Sequence, residues 1–235
     1  MDLLFREDSH ARTCAATVVA VDGRGVLLDR TVFYPNGGGQ PGDSGWLRFA
    51  GGALRIVDTV KGDGPDTVVH VPEAGATPPP VGTPVEAAID WERRHRHMRM
   101  HTALHLVCAA LPGAAITGAQ VGAERSRVDF NVPTEGLDKE AITAALDRLI
   151  ATDAPVTARW ITDEELDARP DLVRTLSVKP PRGSGRVRLI GIAGIDLQPC
   201  GGTHVARLGE IGGLEVVKIE NKGRQNRRVV VALRD

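Results

Sequence analysis

Apolar and polar residues alternate through the first part of the chain, in short runs separated by turn residues. Residues 14–35 read CAATVVAVDGRGVLLDRTVFYP, which is two strand-like runs around the turn DGRG. Residues 46–71 repeat this pattern, with GG and GDGPD as the turns. Short strands at such spacing are typical of a small β-barrel or a β-sandwich. We therefore predict a β domain over residues 1–90 that ends, after a proline-rich loop, with the strand VEAAID.

The pattern changes from a strand period to a helical period at Trp91. Residues 91–111 read WERRHRHMRMHTALHLVCAAL, and Pro112 with Gly113 is expected to end this helix. Residues three or four positions apart stack on one face of a helix. That face here carries Met98, His101, Leu104, His105 and Cys108.

The remaining chain mixes the two periods. An amphipathic helix is predicted over residues 134–153, with Thr134 and Asp138 as its capping signal, and a short helix over residues 163–170. The predicted strands are RSRVDFNV, APVTARWI, RVRLIGI, GGLEVVKIENKG and NRRVVVAL. The sequence thus predicts an α+β protein, with a second domain over residues 91–235.

Composition narrows the classes of protein that need to be considered. The sequence has no run of about 18 apolar residues, so no membrane span is predicted. The start MDLLFREDSH does not resemble a signal peptide. The three cysteines, Cys14, Cys108 and Cys200, are an odd number and do not indicate a disulfide framework, so we expect a cytoplasmic protein. The net charge of −1 gives no global argument for nucleic-acid binding, although a local basic patch is compatible with it.

Two pairs of residues have the spacing of metal ligands. His101 and His105 are four apart on the helix, and Cys200 and His204 are four apart in CGGTH. Imidazole nitrogen and thiolate sulfur are the donors that Zn²⁺ favours. We predict that the four residues bind one zinc ion, the turn closing because Gly201 and Gly202 tolerate unusual backbone angles.

Each part of this site also has a plainer interpretation. The histidines are compatible with half-buried side chains bonded to the backbone, and CGGTH is compatible with an ordinary tight turn. His97 also lies four positions from His101, so these two make an alternative pair. The arginines next to His97, however, disfavour binding of a cation and favour exposure to solvent. Four nitrogen and sulfur ligands are typical of a structural zinc, whereas a catalytic zinc keeps one position open. The spacing does not decide between these roles.

Several motifs together resemble a known family. HTALHL followed by CGGTH resembles the editing domain shared by alanyl-tRNA and threonyl-tRNA synthetases. FYPNGGGQPGDSG at residues 33–45, DWERRHRHMRMHTALHL, ITGAQVGAERSRVDF and NKGRQNRRV resemble the alanyl branch. The resemblance covers nearly the whole chain, which leaves no room for an aminoacylation domain. The chain is similar to the medium-length class of free-standing alanyl-tRNA editing proteins, the AlaX family.

The resemblance implies a fold, a reaction and a set of site residues. It implies an N-terminal small β-barrel followed by an α/β two-layer editing domain with a zinc site. It implies hydrolysis of Ser-tRNA(Ala), and in some members Gly-tRNA(Ala), with the acceptor end of tRNA(Ala) as partner and no membrane or stable protein partner. The implied zinc ligands are His101, His105, Cys200 and His204.

Further residues are assigned to catalysis and substrate binding by this resemblance and by their chemistry. His101, His105, Cys200 and Gln40 are the predicted catalytic group, in which no general base is evident. The predicted substrate-binding residues are Thr31, Gly37, Gly38, Gly39, Gln198 and Asp129. An ordinary β-turn at the glycines, and structural roles for Thr31 and Asp129, remain open.

RNA contact must come from local positive charge. The predicted RNA-binding residues are Arg93, Arg94, Arg96, Arg99, Lys222 and Arg224, with Arg227 and Arg228 in the second cluster. Solvated faces without a partner are the alternative. Two other functions stay open, a non-catalytic zinc-stabilised tRNA-binding module and a deacylase for another mischarged tRNA.

Overall fold

The computed structural model describes residues 1–64, 66–132, 137–176 and 185–234. The chain divides into two compact units, Met1–Arg96 and His97–Asp235. The division falls within one helix, Trp91–Ala110. The domain boundary between residues 90 and 91 stays a prediction.

A closed β-barrel forms most of the first unit. Its strands are β1 (Asp2–Leu3), β2 (Thr13–Asp22), β3 (Gly25–Leu28), β4 (Arg30–Thr31), β5 (Gly45–Phe49), β6 (Gly52–Lys61), β7 (Val68–Pro72) and β8 (Pro84–Ile89). Six of them pair in the cyclic order β2-β3-β7-β6-β5-β8, and β1 pairs with β4 in parallel. Pairing of β2 with β8, for example Thr13 opposite Ala88, closes the ring. The structure therefore confirms the barrel and excludes the sandwich.

Alternating burial fills this barrel with aliphatic side chains. Val18, Leu28, Leu47 and Ile56 come from four different strands and are at most 1% exposed. Successive side chains of a strand point to opposite faces, so the strand period read from the sequence becomes an inside and an outside. The predicted DGRG turn joins β2 and β3, which pair antiparallel.

The second unit combines two sheets with helices. After α1 (Trp91–Ala110) come β9 (Ala115–Gln120), β10 (Ser126–Asn131), α2 (Lys139–Ala151), β11 (Val156–Thr162), α3 (Asp163–Asp167), β12 (Arg186–Ile192), β13 (Asp196–Pro199), β14 (Gly213–Asn221) and β15 (Asn226–Arg234). One sheet has the order β14-β15-β10-β9 and the other β11-β12-β13. Helix α2 packs on β14, where Thr143 Oγ1 accepts a hydrogen bond from Val216 N at 3.1 Å. This confirms the predicted α+β class.

Some element boundaries differ from the prediction. Helix α2 begins at Lys139, and the Asp138 side chain accepts a hydrogen bond from Ala141 N at 2.6 Å as its N-cap. Thr134, the other residue of the predicted capping signal, lies outside the described residues. Strands β9 and β13 were not predicted, because each is short and neither has a clear alternation of apolar and polar residues.

Helix α1 follows the prediction closely. It ends at Ala110, before Pro112 and Gly113, and all five residues of its predicted apolar face are buried. Among the described helices, none combines the length and apolar character that a membrane span requires.

Candidate metal centre

Four side chains of the second unit converge on one point. They are His101, His105, Cys200 and His204. One donor atom from each lies within 4.8 Å of the others, and three of the four residues are buried. This group could hold a metal ion.

Helix α1 supplies two of the imidazoles from adjacent turns. The ring centroids of His101 and His105 are 5.7 Å apart, and that of His204 lies 4.4 Å and 4.7 Å from them. A rigid helix fixes the relative position of residues i and i+4, so the spacing alone accounts for this half of the group.

The turn after β13 supplies the other two donors. Cys200 Sγ lies 3.5 Å from His101 Nε2 and 3.3 Å from His204 Nε2. A tetrahedral zinc ion with ordinary bond lengths would separate a sulfur and a nitrogen ligand by about 3.6 Å. The donor set and these distances therefore fit a four-coordinate divalent ion.

Asp196 holds His105 from the side away from the cluster. Its Oδ2 lies 2.9 Å from His105 Nδ1 and accepts a hydrogen bond from Gln198 Nε2 at 2.8 Å. The carboxylate only accepts at neutral pH, so Nδ1 of His105 carries the proton and Nε2 is left for the cluster. A carboxylate behind a ligating histidine is a common arrangement in metal sites, because it orients the ring.

Thr102 holds His204 in a corresponding way. Its hydroxyl donates to Met98 O at 2.9 Å, so Oγ1 can only accept from His204 Nδ1, which is 3.1 Å away. Val205 N also donates to this oxygen, at 3.3 Å. The Nε2 atom of His204 is thereby directed to Cys200 Sγ.

The charges in the cluster favour a thiolate. Burial alone would raise the pKa of Cys200, but the neighbouring His101 and His204 bring it well below its usual value. Burial also opposes a charge on His105, yet its hydrogen bonds with Asp196 and Cys200 raise its pKa to about 9. Burial and the neighbouring His101 lower the pKa of His204 to about 3. The thiolate is the form of cysteine that binds metal ions.

His97 does not belong to this group of donors in the described structure, in agreement with the choice of His101 and His105. The reason offered from the sequence was wrong, however. His97 is 2% exposed and therefore does not face solvent.

The glycine-rich segment forms a tight turn in the first unit. Gly37 and Gln40 exchange two backbone hydrogen bonds of 3.0 Å, and Gly38 and Gly39 have φ of 58° and 80°. Only glycine adopts such angles without strain, which accounts for both residues. The open interpretation as a β-turn thus describes the backbone, while contact of Gly37, Gly38, Gly39 and Gln40 with substrate stays a prediction. Gln40 is 1% exposed.

Thr31 lies inside the barrel, and its predicted contact with substrate stays a prediction. It is completely buried, and its Oγ1 lies 2.8 Å from His70 Nε2 and accepts from Phe33 N at 3.0 Å. His70 Nδ1 lies 3.0 Å from Val26 O. Since that carbonyl only accepts, Nδ1 is the protonated nitrogen and the Thr31 hydroxyl donates to Nε2. The hydroxyl is therefore committed within the barrel.

Arg94 lies inside the first unit, and its predicted contact with RNA stays a prediction. The residue is completely buried, and its guanidinium forms an ion pair with Asp43. It also donates to Ser9 O at 2.9 Å and to Val32 O at 2.6 Å. These contacts tie Arg94 to Asp43, within the segment that carries the glycine-rich motif.

The other basic residues differ in how far they face solvent. Arg99 is half-buried and donates two hydrogen bonds to Ile211 O, at 2.8 Å and 3.0 Å. Arg93 and Arg96 are half-buried as well, whereas Lys222 and Arg224 are exposed. RNA contact by these five residues stays a prediction.

In the second basic cluster, two arginines form hydrogen bonds and an ion pair within the second unit. Arg227 is 3% exposed and donates to Asn221 and to the backbone of its own turn, and Arg228 pairs with Asp129 at 2.8 Å. Asp129 also pairs with Arg127. Burial works against ionisation, but these arginines lower the pKa of Asp129 overall. Its predicted contact with substrate stays a prediction.

Gln198, a predicted substrate residue, lies beside Asp196 behind His105, with Nε2 3.0 Å from His105 Nδ1. Sequence reasoning missed Asp196 and Thr102 as partners of His105 and His204. A signal for Asp196 exists, because residues two apart on a strand share a face and Asp196 precedes Gln198 by two. No local signal distinguishes Thr102 from any other buried helical threonine.

Comparisons with known proteins place these features in a family. The family model described as tRNA synthetases class II (A) matches residues 7–93, and the model for the threonyl and alanyl tRNA synthetase second additional domain matches residues 187–230. The chain is 37% identical to the alanyl-tRNA editing protein AlaX-M of Methanosarcina mazei, over all of this chain and 97% of that protein. The chain belongs to the AlaX-M family of alanyl-tRNA editing proteins.

Other relatives agree with this membership. The AlaX-M protein of Saccharolobus solfataricus is 34% identical, with 96% of each chain covered. The alanine–tRNA ligase of Pyrobaculum neutrophilum is 39% identical over 92% of this chain but only 25% of its own length. The match to the second additional domain contains Cys200 and His204, so half of the metal group of this AlaX-M family member lies in that module.

Proposed function

We propose that the protein is a trans-editing hydrolase, which deacylates tRNA(Ala) mischarged with serine and, as a second substrate, with glycine. The observation that carries this proposal is the group His101, His105, Cys200 and His204, in a chain of the AlaX-M family. The partner is the acceptor end of tRNA(Ala), and the reaction is hydrolysis of a carboxylic ester. We place this activity in the cytoplasm.

Zinc is the metal that we assign to the group. Three imidazoles and a thiolate are the donors that zinc prefers among common divalent ions, and calcium or magnesium would require oxygen ligands. A bound zinc ion supplies Lewis-acid chemistry or a binding point for the aminoacyl group. Asp196 and Thr102 hold protons on the outer nitrogens of His105 and His204, so the inner nitrogens are the ones that would coordinate the ion, and His105 would release its second proton on binding.

We assign an orienting role to two glutamines, one in each unit. Gln198 hydrogen-bonds Asp196. We assign to Gln198 the orientation of the ester or of a water molecule, and the same action to Gln40. Neither amide can remove a proton. The substrate is an activated ester, so orientation with modest activation is sufficient to speed its hydrolysis.

The need for such a site follows from the limits of binding selectivity. A synthetase pocket for alanine rejects a side chain with one added hydroxyl only weakly, so a second hydrolytic site is required. That site can select serine through buried polar groups that pair with its hydroxyl. Alanine would leave each of these groups unpaired, at a cost of about 1–3 kcal/mol per group.

Deacylation of defined aminoacyl-tRNAs tests the proposal. Ser-tRNA(Ala), Gly-tRNA(Ala) and Ala-tRNA(Ala) are incubated with the protein, with and without a zinc chelator, and released amino acid is measured. We expect hydrolysis of Ser-tRNA(Ala) with little loss of Ala-tRNA(Ala), and loss of activity with the chelator or in His105→Ala. The control is His10→Ala, a histidine of the first unit whose ring centroid lies 5.7 Å from that of Trp91. Full activity in His105→Ala would show that the reaction does not depend on the metal group.

A second candidate function is favoured by one observation, the complete set of four nitrogen and sulfur donors. Such a closed set is typical of structural zinc. A zinc-stabilised tRNA-binding module would bind tRNA(Ala) without hydrolysing any aminoacyl-tRNA. Hydrolysis of a different mischarged tRNA in the same assay would instead identify another deacylase.

A further inference from the structure

A buried arginine on β12 reaches the turn that carries the cysteine of the metal group. Arg188 is 6% exposed. Its Nη1 donates to Gly202 O at 2.8 Å and to Cys200 O at 3.2 Å. One guanidinium nitrogen therefore binds two successive carbonyls of the Cys-Gly-Gly turn.

The backbone of the same residue holds Cys200 from its other side. Arg188 O accepts a hydrogen bond from Cys200 N at 3.0 Å. Both polar groups of the Cys200 backbone are thus bound to Arg188, one by its carbonyl and one by its side chain. Because the direction of the Cα–Cβ bond follows from the backbone, these contacts fix the position of Cys200 Cβ and limit Sγ to the staggered positions about that bond.

The turn has few other restraints. Regular pairing of β12 with β13 ends at Leu189 and Pro199, one residue before Cys200. Gly201 is exposed, and a Cβ atom at this position would contact nothing within 4 Å. In the described structure neither Gly201 nor Gly202 has a positive φ, so the unusual angles expected from the sequence do not hold the turn.

The energetics of burial make this contact selective for arginine. A buried guanidinium is costly unless its donors are bonded, and its planar fork presents several donors in fixed directions. A buried carbonyl that loses its donor costs about 1–3 kcal/mol. Replacing Arg188 would therefore leave the turn with unsatisfied carbonyls and without its link to β12.

We propose that Arg188 is a positioning residue, which holds the Cys-Gly-Gly turn so that Cys200 Sγ faces the three imidazoles. This inference rests on the proposed function only in that the four donors bind a metal ion. Arg188 touches neither metal nor substrate in this role, and it acts through the backbone of Cys200.

Metal affinity, measured by competition with a chromophoric chelator, tests the role without reference to activity. The proteins compared are the wild type, Arg188→Met, Arg188→Lys and Arg186→Met. The last is a matched control, because Arg186 lies two residues away on the same strand and stacks on Trp160, with 4.6 Å to the ring centroid. We expect zinc affinity to fall by roughly 10–100-fold in Arg188→Met, as for other residues that orient ligands. The zinc affinity of Arg188→Lys should lie between those of the wild type and Arg188→Met, and the affinity of Arg186→Met should match the wild type.

Cobalt substitution supplies the second readout. The charge-transfer band from cysteine thiolate to cobalt should weaken or shift in Arg188→Met, because it reports the position of Sγ. A purely structural role would lower the melting temperature of the metal-free protein and leave this band and the zinc affinity of the folded protein unchanged. That result would overturn the inference.

The outcomes also separate this inference from the proposed function. Wild-type protein that binds no zinc contradicts the proposed function itself. Wild-type affinity in Arg188→Met contradicts only the positioning role. If Arg188→Met does not fold, Arg188→Lys decides in its place, and an unchanged affinity in that folded variant would contradict the role.

Discussion

Each unit of the protein buries a histidine beside a threonine hydroxyl, with opposite consequences. In the barrel, the Thr31 hydroxyl donates to His70 Nε2. In the second unit, the Thr102 hydroxyl accepts from His204 Nδ1. The polarity differs because Thr102 already gives its proton to Met98 O, whereas the oxygen of Thr31 is occupied by Phe33 N.

The difference decides what each imidazole can bind. His70 also donates to Val26 O, so both of its nitrogens are satisfied within the barrel. His204 has one nitrogen held by Thr102, while the other points to Cys200 Sγ at 3.3 Å. A buried histidine is thus structural when both nitrogens are paired, and it becomes a candidate ligand when one is held and the other faces further donors.

The largest effect is expected from removing the thiolate that His204 faces. In Cys200→Ser the protein should lose its bound zinc at equilibrium with a moderate chelator, since a neutral hydroxyl replaces the only anionic donor of the group. Metal content by atomic emission measures this. Cys14→Ser is the control, because Cys14 is a half-buried free thiol of the barrel unit. Zinc retained in full by Cys200→Ser would contradict the interpretation of His204, in contrast to His70, as a ligand that faces the thiolate.

A pH-dependent effect on stability is expected from the barrel histidine. Burial lowers the pKa of His70 from 6.5 to about 4. The unfolded chain therefore binds more protons between these pH values, so stability decreases as the pH falls from 6.5 to 4. Protonation of His70 over this whole range would lower the free energy of unfolding by an amount on the order of 3 kcal/mol.

His70→Gln tests this effect, because glutamine can bond Val26 O and Thr31 but does not titrate. Urea unfolding at pH 7 and pH 4.5 should show a smaller loss of stability in the variant than in the wild type. His95→Gln is the control for the same substitution at a half-buried histidine of the first unit. Equal losses in His70→Gln and the wild type would show that His70 does not stay neutral in the folded barrel.

The smallest effect is expected from the hydroxyl that orients His204. Thr102→Val preserves the shape of the side chain but leaves His204 Nδ1 without its acceptor, so zinc affinity should fall about tenfold. The control is Thr143→Val on α2, which removes the hydroxyl that accepts a hydrogen bond from Val216 N of β14. A chelator competition assay compares the two variants. Affinity loss in Thr143→Val as large as in Thr102→Val would mean that a general loosening of the unit, and not ring orientation, is being measured.

Local spacing in the sequence was enough to predict a considerable part of the molecule. The alternation over residues 14–35 and 46–71 predicted strands of the barrel, and the helical period predicted α1 and the common face of His101 and His105. The spacing of Cys200 and His204 predicted the second pair of donors. These features depend on neighbours within a few residues, and the periods of strand and helix are set by backbone geometry alone.

Only the tertiary structure decided the rest. The closure of β2 on β8, the burial of Arg94 against Asp43, and the positions of Asp196 and Thr102 behind the ligating histidines all join distant segments. The polarity of each threonine–histidine pair depends on which backbone groups lie around it. Sequence spacing carries no information on such contacts, because strand register and packing between elements determine them.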